Sequence, residues 1–215
     1  MTIEKGIWIL STAISLVLFY LLYSLWVVMN HFEGDPTQLP DQASVDAYMQ
    51  SQRIEAEYHV RTGIFIQSLK FLGASDVQVS GYVWQHYEDG THDPIKPAPG
   101  EIGFIFPERV DAANGVIEEA YRLREAGGEL IGWYFEQTLR QTFDYADYPF
   151  DHKTVWVRFW PNGFQDKIML VPDFAAYSKT GPKDIFGIDE RIVIGTWERK
   201  NTYFDYKPSD LDTTL

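Results

Sequence analysis

Residues 7–29, IWILSTAISLVLFYLLYSLWVVM, contain no charge, and this stretch limits the chain more than any other. As a helix it would span roughly 35 Å, enough to cross a hydrocarbon core of about 30 Å. Trp8 near one end and Tyr23 and Trp26 near the other suit interfacial belts. A cleaved signal peptide is the competing reading. Its apolar region usually covers only about 7–15 residues, and no small-x-small site follows Val27 and Met29. A buried core helix is rarely apolar on every side over such a length. Residues 1–30 therefore read as a retained N-terminal transmembrane signal-anchor. Lys5 precedes the span, whereas His31, Glu33 and Asp35 follow it. The positive-inside rule then puts the N-terminus in the cytoplasm and the remainder in the periplasm or outside, as in a bacterial envelope protein.

The remainder is acidic and aromatic. A net charge of −13 argues against nucleic acid, whose phosphates need a basic face. With no cysteine there is neither a disulfide framework nor a thiolate site. Aromatics make up 16% of the residues, with seven tryptophans, which suits a β-rich domain.

Residues 31–62 read as a linker carrying one short helix, capped by Asp41, with Val45, Tyr48 and Met49 on one face. Strand-like runs follow. Residues 63–71 and 77–87, joined by GASD, form a hairpin. Residues 102–106 make a short strand ended by Pro107, and 88–100 are a loop broken by proline and glycine. Residues 114–125 carry a broad apolar stripe, a possible Asn114 cap and a Glu118–Arg122 pair, which predicts a helix, with a strand pair as the alternative. Residues 132–142 and 154–160 read as strands flanking the acidic, aromatic turn DYADYPFD. In that turn Pro149 prevents any continuous element, while Tyr145, Tyr148 and Phe150 offer apolar anchors. Further strands are expected over 167–171, 191–197 and 203–206. Many short strands with frequent turns indicate a mainly β chain: an antiparallel two-sheet sandwich, immunoglobulin-like, over residues 63–215, with one or two short helices.

No phosphate loop, G-x-S-x-G or H-E-x-x-H occurs. The carboxylates Asp144, Asp147, Asp151, Glu136 and Glu198 are the candidates for acid–base work on a glycan, which needs two of them facing across a cleft. In a chain this acidic they read first as solvated surface groups. His86, Glu88, Asp89, His92 and Asp93 are the best set for a metal, against a plain polar loop. Neither a metal nor a cofactor is expected. The aromatic residues divide between an inter-sheet core and a box for a cation or sugar.

The order of these elements resembles the extracellular ligand-binding domain of pentameric ligand-gated ion channels, in its prokaryotic, cysteine-free form. IFIQSLKFLGASDVQVSGYVW looks like that domain's first hairpin, and GWYFEQTLRQTFDYADYPFDHKTVWVRFWP carries the specific motif, Tyr148-Pro149-Phe150-Asp151. IGFIFPERV is placed like the first ligand-binding loop, and DERIVIGTWERKNTYFDY like the last two strands. The resemblance implies ligand contacts from Phe104 and Phe106, from Trp160 and Phe164, from Tyr203, Phe204 and Tyr206, and from Trp84 on a complementary subunit. It further implies that Asp144, Asp147, Tyr148, Pro149, Phe150 and Asp151 form a membrane-facing coupling loop. Three features depart from the family: Trp84 is followed by Gln85 and His86 in place of its W-x-D pattern, no four-helix pore follows Tyr206, and an N-terminal anchor that such channels normally lack is present. The expected function is a membrane-anchored sensor for a small molecule, without enzymatic activity and forming a homo-oligomer. Alternatives are an accessory subunit docking on a partner membrane protein, and an envelope glycan enzyme.

Overall fold

Alternation in residues 76–88 decides which side of the sheet is inside. Val77, Val79 and Val83 are fully buried, while Gln78, Ser80, Tyr82, Trp84 and His86 stand on the other face half-exposed. The computed structural model describes residues 3–29, 31, 35–54, 58–89, 102–110, 115–146, 148, 151–162, 168–195 and 197–206. They fall into two compact units: Met1–Glu33 with Asp144–Thr154, and Gly34–Phe143 with Val155–Leu215.

In the first unit, helix α1 (Ile3–Met29) is long and apolar enough to cross a membrane. None of its most apolar window is buried by the rest of the protein, so it is not a core helix.

The second unit is mainly β. Strands β1 (Tyr58–Phe71), β2 (Asp76–Glu88), β4 (Val116–Glu125), β5 (Gly128–Arg140) and β7 (Ile168–Pro172) form a sheet in the order β4-β5-β2-β1-β7. A second, two-stranded sheet pairs β3 (Phe104–Ile105) with β6 (Trp160–Pro161). The hairpin β1–β2 is antiparallel, as expected, and the pairs β2–β5 and β4–β5 are antiparallel too. The pair β1–β7 is parallel, so the large sheet is mixed and the expectation of purely antiparallel pairing fails at that edge. Pro172 is tolerated because β7 is an edge strand.

The inner face of the sheet carries the main core: Ile66, Val77, Val79, Val83, Phe135 and Leu139, covered by Phe104, Phe106, Val155, Val157 and Phe159. Burying such side chains contributes about 1.5–3 kcal/mol each. A polar chain crosses this layer with its bonds made. The Tyr87 hydroxyl accepts from Gly103 N–H (3.0 Å) and donates to Gln85 Oε1 (2.6 Å), and Gln85 Nε2 reaches the Thr62 hydroxyl (3.3 Å). Helix α2 (Gln42–Gln52) begins as expected at Asp41, whose carboxylate accepts from Ser44 N–H at 2.8 Å. Its fully buried Val45 packs with Leu39 and Val171.

Four expected elements are different in the structure. Residues 116–125 form strand β4, not a helix. Arg122 there binds Glu119 and Glu129 and leaves the expected partner Glu118 aside, because pairing with β5 outweighs a short window's helical pattern. Residues 154–159 keep the expected alternation, with Val155, Val157 and Phe159 on the core, but join no ladder. The Gln141 amide takes both backbone groups of Trp156, donating to its carbonyl (2.7 Å) and accepting from its N–H (2.9 Å). Residues 191–195 and Trp197 form successive turns. Asp189 Oδ1 accepts from Arg191 N–H, Gly195 adopts φ 57°, and Val193 is 81% exposed. Of residues 203–206, only Phe204 makes a β-bridge, to Leu39.

The outer edge of β1 is closed in three successive ways. Strand β7 covers Tyr58–Thr62, and Asp173 N–H continues to the Thr62 carbonyl (3.0 Å). Next, the Tyr177 hydroxyl accepts from Ile64 N–H (2.7 Å) and donates to Ile64 C=O (2.8 Å). Burial pushes the Tyr177 phenol well above its ordinary range, so it stays a donor. Finally, Gly187 C=O and Asp189 N–H pair with Ile66, both at 2.8 Å. Gly187 sits at φ 64°, and a Cβ there would come 3.0 Å from the Ile64 carbonyl oxygen. We expect Tyr177→Phe, which leaves two backbone groups of Ile64 unpaired, to lower the unfolding free energy of the detergent-solubilised chain by about 1–3 kcal/mol. An unchanged denaturation midpoint would contradict this role.

Candidate functional site

The outer face of the large sheet is only partly covered, and one register row crosses it as Gly63–Trp84–Gly132–Tyr121. Each aromatic ring rests on a glycine of the adjacent strand. A Cβ on Gly63 would lie 2.2 Å from both Cε2 and Cζ2 of Trp84, and one on Gly132 2.2 Å from both Cε1 and Cζ of Tyr121. Near-equal distances to neighbouring ring atoms indicate a ring laid face-down. Glycine is required in these strand interiors because the rings occupy its Cβ position.

The next row is Arg61–His86–Leu130–Leu123. Two residues apart along their strands, both rows project from the same face. Over them stands Asp173, immediately after β7 and only 3% exposed. Its Oδ2 accepts the Trp84 indole N–H at 2.9 Å and lies 3.2 Å from His86 Nε2. Its Oδ1 lies 3.6 Å from Arg61 Nη1. The other ring nitrogen of His86 faces Glu125 at 3.5 Å. A buried carboxylate persists when surrounded in this way by donors and a cation.

These side chains, with Tyr121, Leu130, Ala175 and Ala176, line an open cleft of about 480 Å³, within the range of small-molecule sites. Among the described residues lining it there is no serine, threonine or cysteine for the Asp173–His86 pair to activate. The arrangement suits binding: flat apolar rings, a half-exposed guanidinium and an imidazole held between two carboxylates.

The expected ligand contacts are dispersed. Trp84 alone lies in the cleft. Phe104 and Phe106, each 5% exposed, are core side chains packed edge-on or tilted against Phe159, and Trp160 is half-buried in β6 opposite Ile105. Phe204 packs on Phe174, Tyr177 and Phe186. Tyr206 stacks on Tyr48 and donates to the Leu170 carbonyl, while Tyr203 reaches Asp35 at 3.3 Å. Phe164 lies outside the described residues, as do His92 and Asp93 of the expected metal set. Of that set, His86 belongs to the cleft and Asp89 pairs with Arg124 at 2.7 Å. No three His, Asp or Glu among the described residues form a metal-holding group.

The acidic turn is held differently from expectation. Tyr148 is 76% exposed and Tyr145 44%, so neither is a buried anchor. Lys153 holds the turn: its ammonium contacts the Asp144 carbonyl and the Asp151 carboxylate and stands 3.5 Å over the Tyr145 ring. Asp147, Pro149 and Phe150 lie outside the described residues. The candidate acid–base carboxylates do not converge, since Glu136 binds Gln78 on the sheet and Glu198 pairs with Lys200.

Arg61, Tyr121 and Asp173 were missed in the sequence. Interior glycines at 63 and 132, in strands otherwise rich in side chains, were the available signal. No protein-family model matches the chain, and no curated protein matches it.

The Lys153 ammonium holds the Asp151 carboxyl below the usual carboxylate range. A depressed native value stabilises the fold above the unfolded-state value of about 3.9, and the effect is lost as pH falls through the native value. Lys153→Met should therefore destabilise the chain at neutral pH, with the difference from wild type narrowing on acidification below about pH 4, where the ammonium keeps only the Asp144 carbonyl and the Tyr145 ring. Acid titrations followed by circular dichroism check this; a difference independent of pH contradicts it.

Proposed function

We propose that this chain is a membrane-anchored, non-enzymatic ligand-binding domain, with its N-terminus in the cytoplasm and the sheet-bearing unit in the periplasm or outside. The observation that carries this reading is the cleft, where one buried carboxylate orients an indole, an imidazole and a guanidinium around open space. Supporting the anchor is α1, exposed along its length; a signal sequence shares that make-up, and retention is part of the proposal. In this reading the domain is a sandwich of the immunoglobulin-like kind, related to the ligand-binding domain of pentameric ligand-gated channels and assembling as a homo-oligomer. The β1–β2 hairpin and the two sheets support it. The Asp144–Thr154 turn shares a compact unit with Met1–Glu33, which supports a coupling role for the turn at the membrane. Its exposed Tyr148 has the amphipathic ring favoured at that interface.

A second reading, an accessory subunit docking on a larger membrane protein, is favoured by β4. All ten of its residues are exposed, and among the described residues it pairs only with β5.

A thermal-shift screen of the full chain in detergent, against amino acids, small carboxylates and sugars, should find a compound that raises Tm by several degrees. Asp173→Asn should abolish that shift. A screen in which nothing shifts wild type, or in which the shift survives Asp173→Asn, removes the cleft as the binding site. Because the chain has no cysteine, Lys179→Cys gives a single exposed label. An impermeant maleimide should modify it on intact bacterial cells with the outer membrane permeabilised; labelling only after lysis reverses the orientation.

A further inference from the structure

The rings of Trp84 and Tyr121 lean the same way across the sheet, Trp84 from β2 over Gly63 of β1 and Tyr121 from β4 over Gly132 of β5. β1 and β5 are separated by β2, so the two rings stand about two strand spacings, roughly 10 Å, apart. With one face of each ring laid on a glycine, the opposite faces point out of the sheet. Tyr121 is 36% exposed, and Trp84 is half-buried with its indole N–H committed to Asp173. Trp84 is thus fixed in place and offers its ring surface, not its hydrogen bond, to a ligand.

Between and beside the rings lie His86, Leu130 and Arg61. The Arg61 side chain is 45% exposed and its Nη1 sits 3.6 Å from Asp173, beyond hydrogen-bond contact, so its donors are open to solvent or a ligand. The charges of the cleft oppose one another, Arg61 against Asp173 and Glu125, within a chain of net charge −13. That field disfavours an anionic ligand and is indifferent to a neutral one. Flat aromatic faces attract the C–H faces of apolar rings, and planar polar side chains match hydroxyl groups. One sugar ring is too small to touch both aromatics; a short chain of sugars spans them.

Resting on the reading of this cleft as a ligand site, we propose that it binds a neutral oligosaccharide, with pyranose units stacked on Trp84 and Tyr121 and hydroxyl groups bonded to Arg61.

The test uses the full chain in nanodiscs, titrated calorimetrically with cellohexaose, chitohexaose and maltohexaose, and with succinate and benzoate as anionic comparators. At least one hexaose should bind, with affinity rising from the disaccharide to the hexasaccharide. Tyr121→Ala should weaken binding about tenfold or more, and Tyr121→Phe should retain it. Tyr121 lies on an exposed strand, and an unchanged Tm separates loss of the ring from loss of the fold. Failure of all three hexaoses to bind overturns the proposal, as does binding that survives Tyr121→Ala. If succinate or benzoate binds where the hexaoses do not, the sugar assignment falls while the cleft stands as a ligand site.

Discussion

One hydroxyl group, that of Tyr177, bridges a gap in the outer edge of the sheet by bonding both backbone groups of Ile64. Past Thr62, strand β1 has lost its parallel neighbour, and the next backbone partner is at Ile66. The Tyr177 phenol fills that gap by donating and accepting at Ile64. The same ring lies 5.9 Å from Trp84 and 5.8 Å from Phe204, so it links the cleft to the aromatic cover of α2 and β7. Closing a sheet edge and shaping the cleft are here one piece of packing.

The device recurs. Gln141 serves both backbone groups of Trp156, and the Thr202 hydroxyl serves both of Phe186, at 2.7 and 2.8 Å. A side chain with a donor and an acceptor takes the place of one rung of a ladder without requiring a strand. This explains why the segments covering the sheet are irregular while their apolar residues still alternate toward the core. It also keeps buried backbone groups paired, which a well-packed interior requires.

Legibility in the sequence followed the same division. The β1–β2 hairpin, β5 and the capped α2 were readable because pattern and local chemistry agree there: alternating valines in β2, and Asp41 three residues before Ser44. The alternation of Val155, Val157 and Phe159 gave their facing correctly but not their pairing, which depends on an amide from Gln141. In residues 191–197 the β-branched run favours a strand, but the turn chemistry of Asp189 and Gly195 decides the conformation. The cleft was the least legible part. Its carboxylate stands 89 positions from the indole it holds, and only the register of four strands brings the two glycine–aromatic steps into one row.

That separation also orders events in time. β1 is synthesised more than a hundred residues before Tyr177, and β7 and Gly187 also come late. Closing so long a loop precedes any reward from the contacts it makes, so edge closure belongs to the slow, late part of folding. Until then a nascent chain carries a hydrophobic strand with one bare side, a template for pairing with another chain. The cleft, too, becomes whole only when the segment carrying Asp173, Ala175 and Ala176 has docked.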